Sequence, residues 1–422
     1  MLKSKLKRFY KALGPGFITG AADDDPSGIA TYSHTGAQFG YAQLWTALFT
    51  FPFMTVVQEM CGRIGMVTGN GLSGVIRRHY TKPILYLAVT LLLISNTINI
   101  GANLGAMASS AQLLVKIPFA LWLVLIASLS LGLQIFVAYP KYAKFLKYLT
   151  LSLFAYIATA FVIKHDWQAI AISTLIPTIR FDENYLMNIV AILGTTISPY
   201  LFFWQADQEV EEEIEHHKIR SMGRGIPHVT NRDIREMRID TTVGMFFSNI
   251  VMWFIIVTTA STLYAGGIFS VETADQAAMI LRPLAGDLAY LLFALGIIGT
   301  GLLAIPILAG SGAYALGEAL QWNVGLSKNF GKAQGFYFVI ALATLVGVLV
   351  NFSNIPPFTM LYYTAILNGI VAPPLMTIIM LIGSNKKIMG QHTNSHFSNV
   401  AGWMITGVMS LASLGLIVTL LA

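Results

Sequence analysis

The stretch Ile18–Gly36, ITGAADDDPSGIATYSHTG, places three consecutive aspartates, Asp23 to Asp25, directly before Pro26. Apolar residues flank this stretch on both sides, so the aspartates fall inside a segment long enough to cross a membrane. A charged side chain at the centre of a membrane helix costs about 2.5–3.5 kcal/mol on insertion scales. Three adjacent carboxylates in this position therefore need a physical reason, and the proline predicts a break in the helix.

The composition is that of a membrane protein. The 422-residue chain is 55% hydrophobic and 11% charged, with a mean hydropathy of +0.66, whereas soluble domains carry about 25% charged residues. Its apolar runs have the length of helices rather than the ~10-residue alternation of barrel strands. The predicted fold class is therefore an all-α polytopic membrane protein.

Catalytic and cofactor motifs are absent from the sequence. The single cysteine, Cys61, excludes an internal disulfide and a cysteine-based metal cluster. Nucleophile–base pairs, Walker loops and cofactor fingerprints do not occur either, so an enzyme is not indicated and no cofactor is expected.

Eleven apolar segments of spanning length are predicted within a single transmembrane domain, residues 1–422. The eighth is expected to continue beyond the membrane to about Leu320. The segments are 13–39, 41–66, 83–113, 117–139, 142–164, 187–208, 240–264, 284–311, 333–351, 356–383 and 398–421.

Basic residues predict the orientation. If the N-terminus is inside, outer segments hold only four of the 26 Lys and Arg residues, namely Lys116, Lys164, Arg180 and Arg282. The positive-inside rule therefore predicts a cytoplasmic N-terminus and an outer C-terminus in the plasma membrane, which is the inner membrane of a bacterium. This topology explains the net charge of +6, so the lipid bilayer is the expected partner. Neither a nucleic acid nor an obligate protein partner is indicated.

The sixth segment repeats the pattern of the first. Its stretch Gly194–Phe202, GTTISPYLF, again combines glycine, small polar residues and a proline at mid-membrane. A kink at one proline is common in membrane helices. Two interrupted helices in corresponding positions of inverted halves, however, indicate the midplane binding site of a transporter.

The two breaks supply a candidate metal site. One alternative is a wet turn in which Asp25 only caps the second half-helix. The favoured interpretation is a cation site, because carboxylates, hydroxyls and freed carbonyls are hard oxygen ligands suited to Mg²⁺, Mn²⁺ or Ca²⁺. Asp25 is the expected primary ligand, and Asp24 is expected to act by charge or through water. Thr195, Ser198 and the Ala22 carbonyl complete the predicted ligand set.

These residues resemble the NRAMP family of proton-coupled Mn²⁺/Fe²⁺ transporters. Gly14–Thr31 is similar to the family's first helix, with its GPG and DPGN pattern, and Thr195–Tyr200 to its A-x-x-M-P-H segment. The resemblance implies the LeuT-like fold. That fold has two inverted five-helix repeats, here about 12–165 and 187–383, and an extra helix at about 398–421.

The departures from the family pattern point to one branch. Gly28 stands at the family's asparagine, Ser198 at its methionine and Tyr200 at its histidine. Asparagines, among them Asn103, replace acids of the third helix that are thought to relay protons. This pattern resembles the NRAMP-related magnesium transporter branch. It implies a secondary transporter that imports Mg²⁺ and/or Mn²⁺ by alternating access, with weak or absent proton coupling.

Two other functions stay open. One is a proton-coupled Mn²⁺/Fe²⁺ importer of the ordinary NRAMP type. The other is a LeuT-fold carrier of organic solutes that holds a substrate carboxylate at a helix end. It is less favoured, because Asp23, Asp24 and Asp25 would repel such a substrate.

A second acidic group follows the sixth break. The run Glu209–Glu215, at the inner end of the sixth predicted helix, is interpreted as a solvated face that pairs with Lys218, Arg220 or Arg224. The alternative is a role in gating or in drawing cations to the inner mouth. A polar inner loop is predicted over 209–239. Asp207 lies deeper in the predicted helix and is the better candidate for a position on the ion pathway.

Overall fold

The computed structural model describes residues 14–137, 153–326, 328 and 330–421, and these form helices and loops without β-strands. The first half contains α1 (Pro15–Asp23), α2 (Pro26–Phe39), α3 (Trp45–Thr68), α4 (Leu72–His79), α5 (Lys82–Leu114), α6 (Phe119–Phe136), α7 (Phe154–Val162) and α8 (Trp167–Leu175). The second half contains α9 (Glu183–Thr196), α10 (Pro199–Glu215), α11 (Asn231–Thr259), α12 (Ala274–Ala278), α13 (Arg282–Ala285), α14 (Ala289–Leu320), α15 (Gln334–Val350), α16 (Pro357–Gly383), α17 (Lys386–Met389) and α18 (His396–Leu421). Short π and 3₁₀ segments lie at Ala260–Tyr264, Met279–Leu281, Gly286–Leu288, Phe330–Lys332 and Gly390–His392.

The predicted all-helical membrane architecture is confirmed. In the described part of the chain, seven helices are long and apolar enough to cross a membrane: Lys82–Leu114, Phe119–Phe136, Glu183–Glu215, Asn231–Tyr264, Ala274–Leu320, Pro357–Gly383 and His396–Thr419. Helices α1 and α2 together cover the first predicted segment, α3 covers the second and α15 covers the ninth. The first is interrupted, the second is more polar and the ninth is shorter. Only the end of the fifth segment can be compared, since 138–152 lie outside the described residues.

The predicted inner loop over 209–239 is wrong at both ends. Helix α10 continues to Glu215 and α11 already begins at Asn231, which leaves only residues 216–230 between them. Thr230 and Asp233 form a capping box at the start of α11, with the Thr230 amide donating to Asp233 Oδ2 at 2.9 Å. Polarity alone predicts a loop here. A polar sequence still forms helix when its backbone groups are capped in this way.

Glycines let both interrupted helices approach their neighbours closely. A Cβ on Gly20 of α1 would lie 2.3 Å from the Gly244 carbonyl oxygen of α11. A Cβ on Gly194 of α9 would lie 2.3 Å from the Gly369 amide nitrogen of α16. Such contacts of backbone on backbone are typical of membrane helices packed through small residues. They fix where the ends of α1 and α9, and hence the two breaks, lie in the protein.

Candidate metal-binding site

The first crossing is interrupted at the aspartates. Helix α1 ends at Asp23 and α2 begins at Pro26, so Asp24 and Asp25 lie between the helices. Asp25 caps α2, because its Oδ1 accepts a hydrogen bond from the Gly28 amide at 2.9 Å. The turn is nevertheless not wet, since the three aspartates are only 0–3% exposed. Capping therefore explains one carboxylate and leaves the burial of the other two unexplained.

The two breaks face each other. The Tyr200 hydroxyl at the start of α10 donates to the Ala22 carbonyl near the end of α1 at 3.1 Å. A Cβ on Gly28 would lie 3.5 Å from Thr195 Oγ1 and 3.0 Å from the Asp23 carbonyl oxygen. The two breaks are about 170 residues apart in sequence. The residues expected to bind an ion nevertheless lie in one buried region.

The hydroxyl of Ser198 points back towards α9. Its Oγ lies 2.7 Å from the Gly194 carbonyl oxygen and 2.8 Å from that of Thr195. A hydroxyl that donates its proton keeps lone pairs for another partner, as does the Ala22 carbonyl that accepts from Tyr200. The predicted ligand set lies together, and the coordination of an ion by these atoms stays a prediction.

Ser248 of α11 is a site residue that the sequence did not reveal. Its hydroxyl hydrogen-bonds to Asp23 Oδ2 and lies 3.3 Å from Asp24 Oδ1, so it bridges two of the three aspartates. A lone serine in an apolar crossing gives no signal of such a role, because any membrane helix tolerates one.

Asn103 of α5 holds the third aspartate. Its Nδ2 donates to Asp25 Oδ2 at 3.2 Å and also lies 2.9 Å from Asn99 Oδ1. Thr364 of α16 adds one more hydrogen bond to this network by donating to Asn99 Oδ1 at 3.4 Å. The spacing of Asn99 and Asn103, one helical turn apart, puts both amides on one face and predicts their contact with each other, but not the contact with Asp25.

The described residues supply no balancing charge to the three aspartates. Among the described residues, none of the ion pairs involves Asp23, Asp24 or Asp25, and Asp23 Oδ1 is buried without a hydrogen-bond partner. A buried charge needs a partner of opposite sign or a proton. The described residues contain no group of three or more His, Cys, Asp and Glu side chains that could hold a metal ion. The binding of a cation by these aspartates stays a prediction.

Comparison with known proteins identifies the family. The family model for Nramp, described as natural resistance-associated macrophage protein-like, matches residues 16–419. The chain belongs to the Nramp family. It is 23% identical over 411 residues to the divalent metal cation transporter MntH of Klebsiella pneumoniae, covering 94% of this chain and 91% of the relative. It is 25% identical over 419 residues to MntH of Bacillus subtilis, covering 96% and 91%.

Solved structures share the fold of this Nramp protein. The manganese transporter of Eremococcus coleocola superposes with a TM-score of 0.77 at 16% identity, covering 96% of this chain and 86% of that one. Mhp1, a nucleobase-cation-symport-1 family transporter in a closed conformation, superposes with a TM-score of 0.54 at 12% identity, covering 96% and 90%. The predicted LeuT-like fold is confirmed by these likenesses.

A second pair of carboxylates in this Nramp protein lies beside α4. Asp207 is buried and neither of its carboxylate oxygens has a hydrogen-bond partner in the described part of the chain. The Glu318 carboxylate caps α4, accepting from the amides of Gly71 and Gly74 at 2.8 Å each. A Cβ on Gly71 would lie 1.8 Å from Asp207 Oδ1 and 2.6 Å from Glu318 Oε2. The two side chains are thus close neighbours, and the role of Asp207 on the ion pathway stays a prediction.

The acidic run of α10 is less solvated than its sequence indicated. Glu209 and Glu213 are buried, and Gln205 Nε2 donates to Glu209 Oε1 at 2.7 Å. Lys218 pairs with Glu213 at 3.1 Å, as predicted, and with Asp233 at 3.4 Å. The run therefore packs its inner face against neighbouring helices, which a count of charges along the sequence does not show.

Proposed function

We propose that this Nramp protein is a secondary transporter that carries Mg²⁺ and Mn²⁺ inward by alternating access. The observation that supports it is the cluster Asp23–Asp25, buried where two helix breaks face each other and without a basic partner among the described residues. The bacterial relatives named above are divalent metal cation transporters by name, which supports the same class of cargo.

The ligand chemistry favours hard ions. Ser198 replaces the family's methionine by a hydroxyl, and soft thioethers favour transition metals whereas oxygen suits Mg²⁺. Gly28 replaces the family's asparagine, and a Cβ there would already lie 3.0 Å from the Asp23 carbonyl oxygen and 3.5 Å from Thr195 Oγ1. Mg²⁺ dehydrates reluctantly and is held by one or two carboxylates plus waters. Asp25 is the proposed direct ligand, with Asp24, Thr195, Ser198 and the Ala22 carbonyl around the partly hydrated ion.

The proposed driving force is the membrane potential. A divalent ion that enters at −100 mV gains about 4.6 kcal/mol, from about 2.3 kcal/mol per charge. On α5, Asn103 contacts Asp25 and Asn99 contacts Asn103, and these amides do not exchange protons as carboxylates do. This arrangement supports the proposal of weak or absent proton coupling.

Uptake into proteoliposomes tests the cargo and the site. The wild-type protein is expected to take up Mn²⁺, and excess Mg²⁺ is expected to compete with it. Asp25→Ala should abolish uptake of both ions. Asp166→Ala should leave uptake unchanged, because Asp166 is an exposed residue that caps the surface helix α8. Mn²⁺ uptake without competition from Mg²⁺ would refute the magnesium proposal, and full uptake by Asp25→Ala would refute the site.

A pH-sensitive dye in the vesicle lumen tests the coupling. We expect metal uptake without acidification of the lumen. Acidification that follows the rate of metal uptake would instead support the alternative, a proton-coupled Mn²⁺/Fe²⁺ importer.

The variant Ser198→Met gives an independent test of selectivity. It restores the family's thioether and should raise the preference for Mn²⁺ over Mg²⁺ in competition experiments. An unchanged ratio of the two uptake rates would argue against Ser198 as a selectivity-determining residue.

The orientation is proposed as a cytoplasmic N-terminus and an outer C-terminus in the bacterial inner membrane. A C-terminal tag should then be accessible to a membrane-impermeant reagent in intact spheroplasts, and an N-terminal tag should not. The opposite pattern would overturn this topology.

A further inference from the structure

A cavity of about 310 Å³ lies apart from the metal site, between the end of α3, the start of α11 and the segment before α18. Basic and hydroxyl groups dominate its wall. They include Arg63, Arg235, Arg238, His392, Ser395 and Ser398. The prediction from basic residues puts these arginines on the cytoplasmic side, at the level of the inner membrane surface.

The arginines outnumber the carboxylates that neutralise them. Glu59 Oε1 accepts from Arg63 Nε at 3.0 Å and from Arg238 Nη2 at 3.0 Å, so one carboxylate serves two guanidinium groups. Arg235 forms no ion pair with a described residue. The cavity wall therefore keeps a net positive charge.

The other acids of this helix end are occupied outside the cavity. Asp233 pairs with Lys218 at 3.4 Å and accepts from Thr230. Glu236 pairs with Arg232 at 2.9 Å. Neither carboxylate lines the cavity, so Arg235 keeps its donors free for a ligand.

Helix ends add to the positive character. Ser395 Oγ accepts from the Ser398 amide at 3.1 Å at the start of α18, and Asn231 begins α11. Both helix starts line the cavity. The Ser398 and Asp233 amides at these starts already donate to the caps Ser395 and Thr230, so the guanidinium forks are the donors that would hold a phosphate.

We propose that this cavity binds a phosphate group on the cytoplasmic side. Two kinds of compound can supply this phosphate group, namely an anionic lipid of the inner leaflet through its headgroup and a soluble phosphate.

The position of the cavity gives such a ligand a means to affect transport. Arg63 already ties α3 to the segment between α16 and α18, through Asn394 Oδ1 at 2.8 Å and through the His392 carbonyl. A phosphate bound to Arg235 and Arg238 of α11 would join α11 to that same segment. Helix α11 supplies Ser248 to the metal site, so the ligand would link the metal-site helices to α18.

The test measures binding in metal-free buffer containing EDTA, so that it does not depend on the proposed transport function. The full-length protein in detergent is titrated with short-chain phosphatidylglycerol, with short-chain phosphatidylcholine and with inorganic phosphate, and the melting temperature is followed. We expect phosphatidylglycerol to stabilise the wild-type protein more than phosphatidylcholine. Stabilisation by inorganic phosphate as well would identify a soluble phosphate as a ligand, and its absence would assign the site to lipid.

Variants decide whether the effect belongs to this cavity. The double variant Arg235→Gln/Arg238→Gln should bind the phosphate-bearing ligand about a hundredfold more weakly, with about tenfold for each of the two charge-assisted contacts removed. Arg232→Gln is the matched control, since Arg232 is 74% exposed on the same helix and pairs with Glu236. Arg235→Gln alone serves if the double variant fails to fold, because Arg235 is exposed and forms no ion pair with a described residue. Equal binding by the control and the cavity variants, or no stabilisation of the wild type by any phosphate compound, would overturn the proposal.

Discussion

One carboxylate, Asp240 of α11, holds the start of α1. Its oxygens accept hydrogen bonds from the amides of Gly14 at 2.9 Å, Gly16 at 2.8 Å and Phe17 at 3.2 Å. These are amides at the start of a helix, which have no partner within the helix itself. Asp240→Asn keeps one acceptor oxygen and removes the charge. Loss of an N-cap costs about 0.5–2 kcal/mol and a hydrogen bond to a charged group contributes about 1.5–3 kcal/mol.

We take about 1.4 kcal/mol as the loss in Asp240→Asn, which is a tenfold change in the equilibrium between docked and released α1. This loss is measured by hydrogen–deuterium exchange of the full-length protein, followed by mass spectrometry of a peptide that covers Gly14–Asp23. The expected result is about tenfold faster exchange of these amides in the variant.

The control for this prediction is Asp182→Asn, which weakens the equivalent cap of α9, where the Tyr185 amide donates to Asp182 at 3.0 Å. It should speed exchange at the start of α9 only. Unchanged exchange at Gly14–Asp23 in Asp240→Asn, or equal acceleration there in Asp182→Asn, would refute the assignment of this contact to Asp240.

Two further substitutions probe the packing of the carboxylates. Gly71→Ala should lower the stability by about 1–3 kcal/mol, because the new methyl group would lie 1.8 Å from Asp207 Oδ1. Gly132→Ala should leave the stability unchanged, because Gly132 has open space around it. Equal shifts of the thermal unfolding temperature in the two variants would contradict the reasoning. Ser248→Ala should weaken binding of Mg²⁺ or Mn²⁺ by about tenfold, because the hydroxyl orients two aspartates. Isothermal titration calorimetry measures it, and an unchanged Kd would show that the bridge is not needed.

The fold was largely predictable because a bilayer fixes the length of each crossing and penalises charge within it. The same reasoning misplaced the boundary between α10 and α11. Outside the bilayer that penalty is gone, so a polar segment such as Glu209–Glu215 can continue a helix. The Thr230–Asp233 capping box was the local signal for the start of α11, and hydropathy does not contain it.

The site was predictable only in part. Aspartates and prolines marked the breaks at Asp25 and Ser198, because both residue types are unfavourable in a continuous membrane helix. The partners Ser248 and Asn103 lie 225 and 78 residues away in sequence from the aspartates they contact. Nothing in the local periodicity of α11 or α5 states which neighbour each helix will face.

The glycine contacts have a mechanical consequence. Because α1 meets α11 at Gly20 and Gly244, and α9 meets α16 at Gly194 and Gly369, each half-helix is clamped to its own companion, backbone against backbone. A shift of the α1–α11 pair as a rigid body would move the Ala22 carbonyl away from the Tyr200 hydroxyl of α10 and expose that oxygen to water or to an ion.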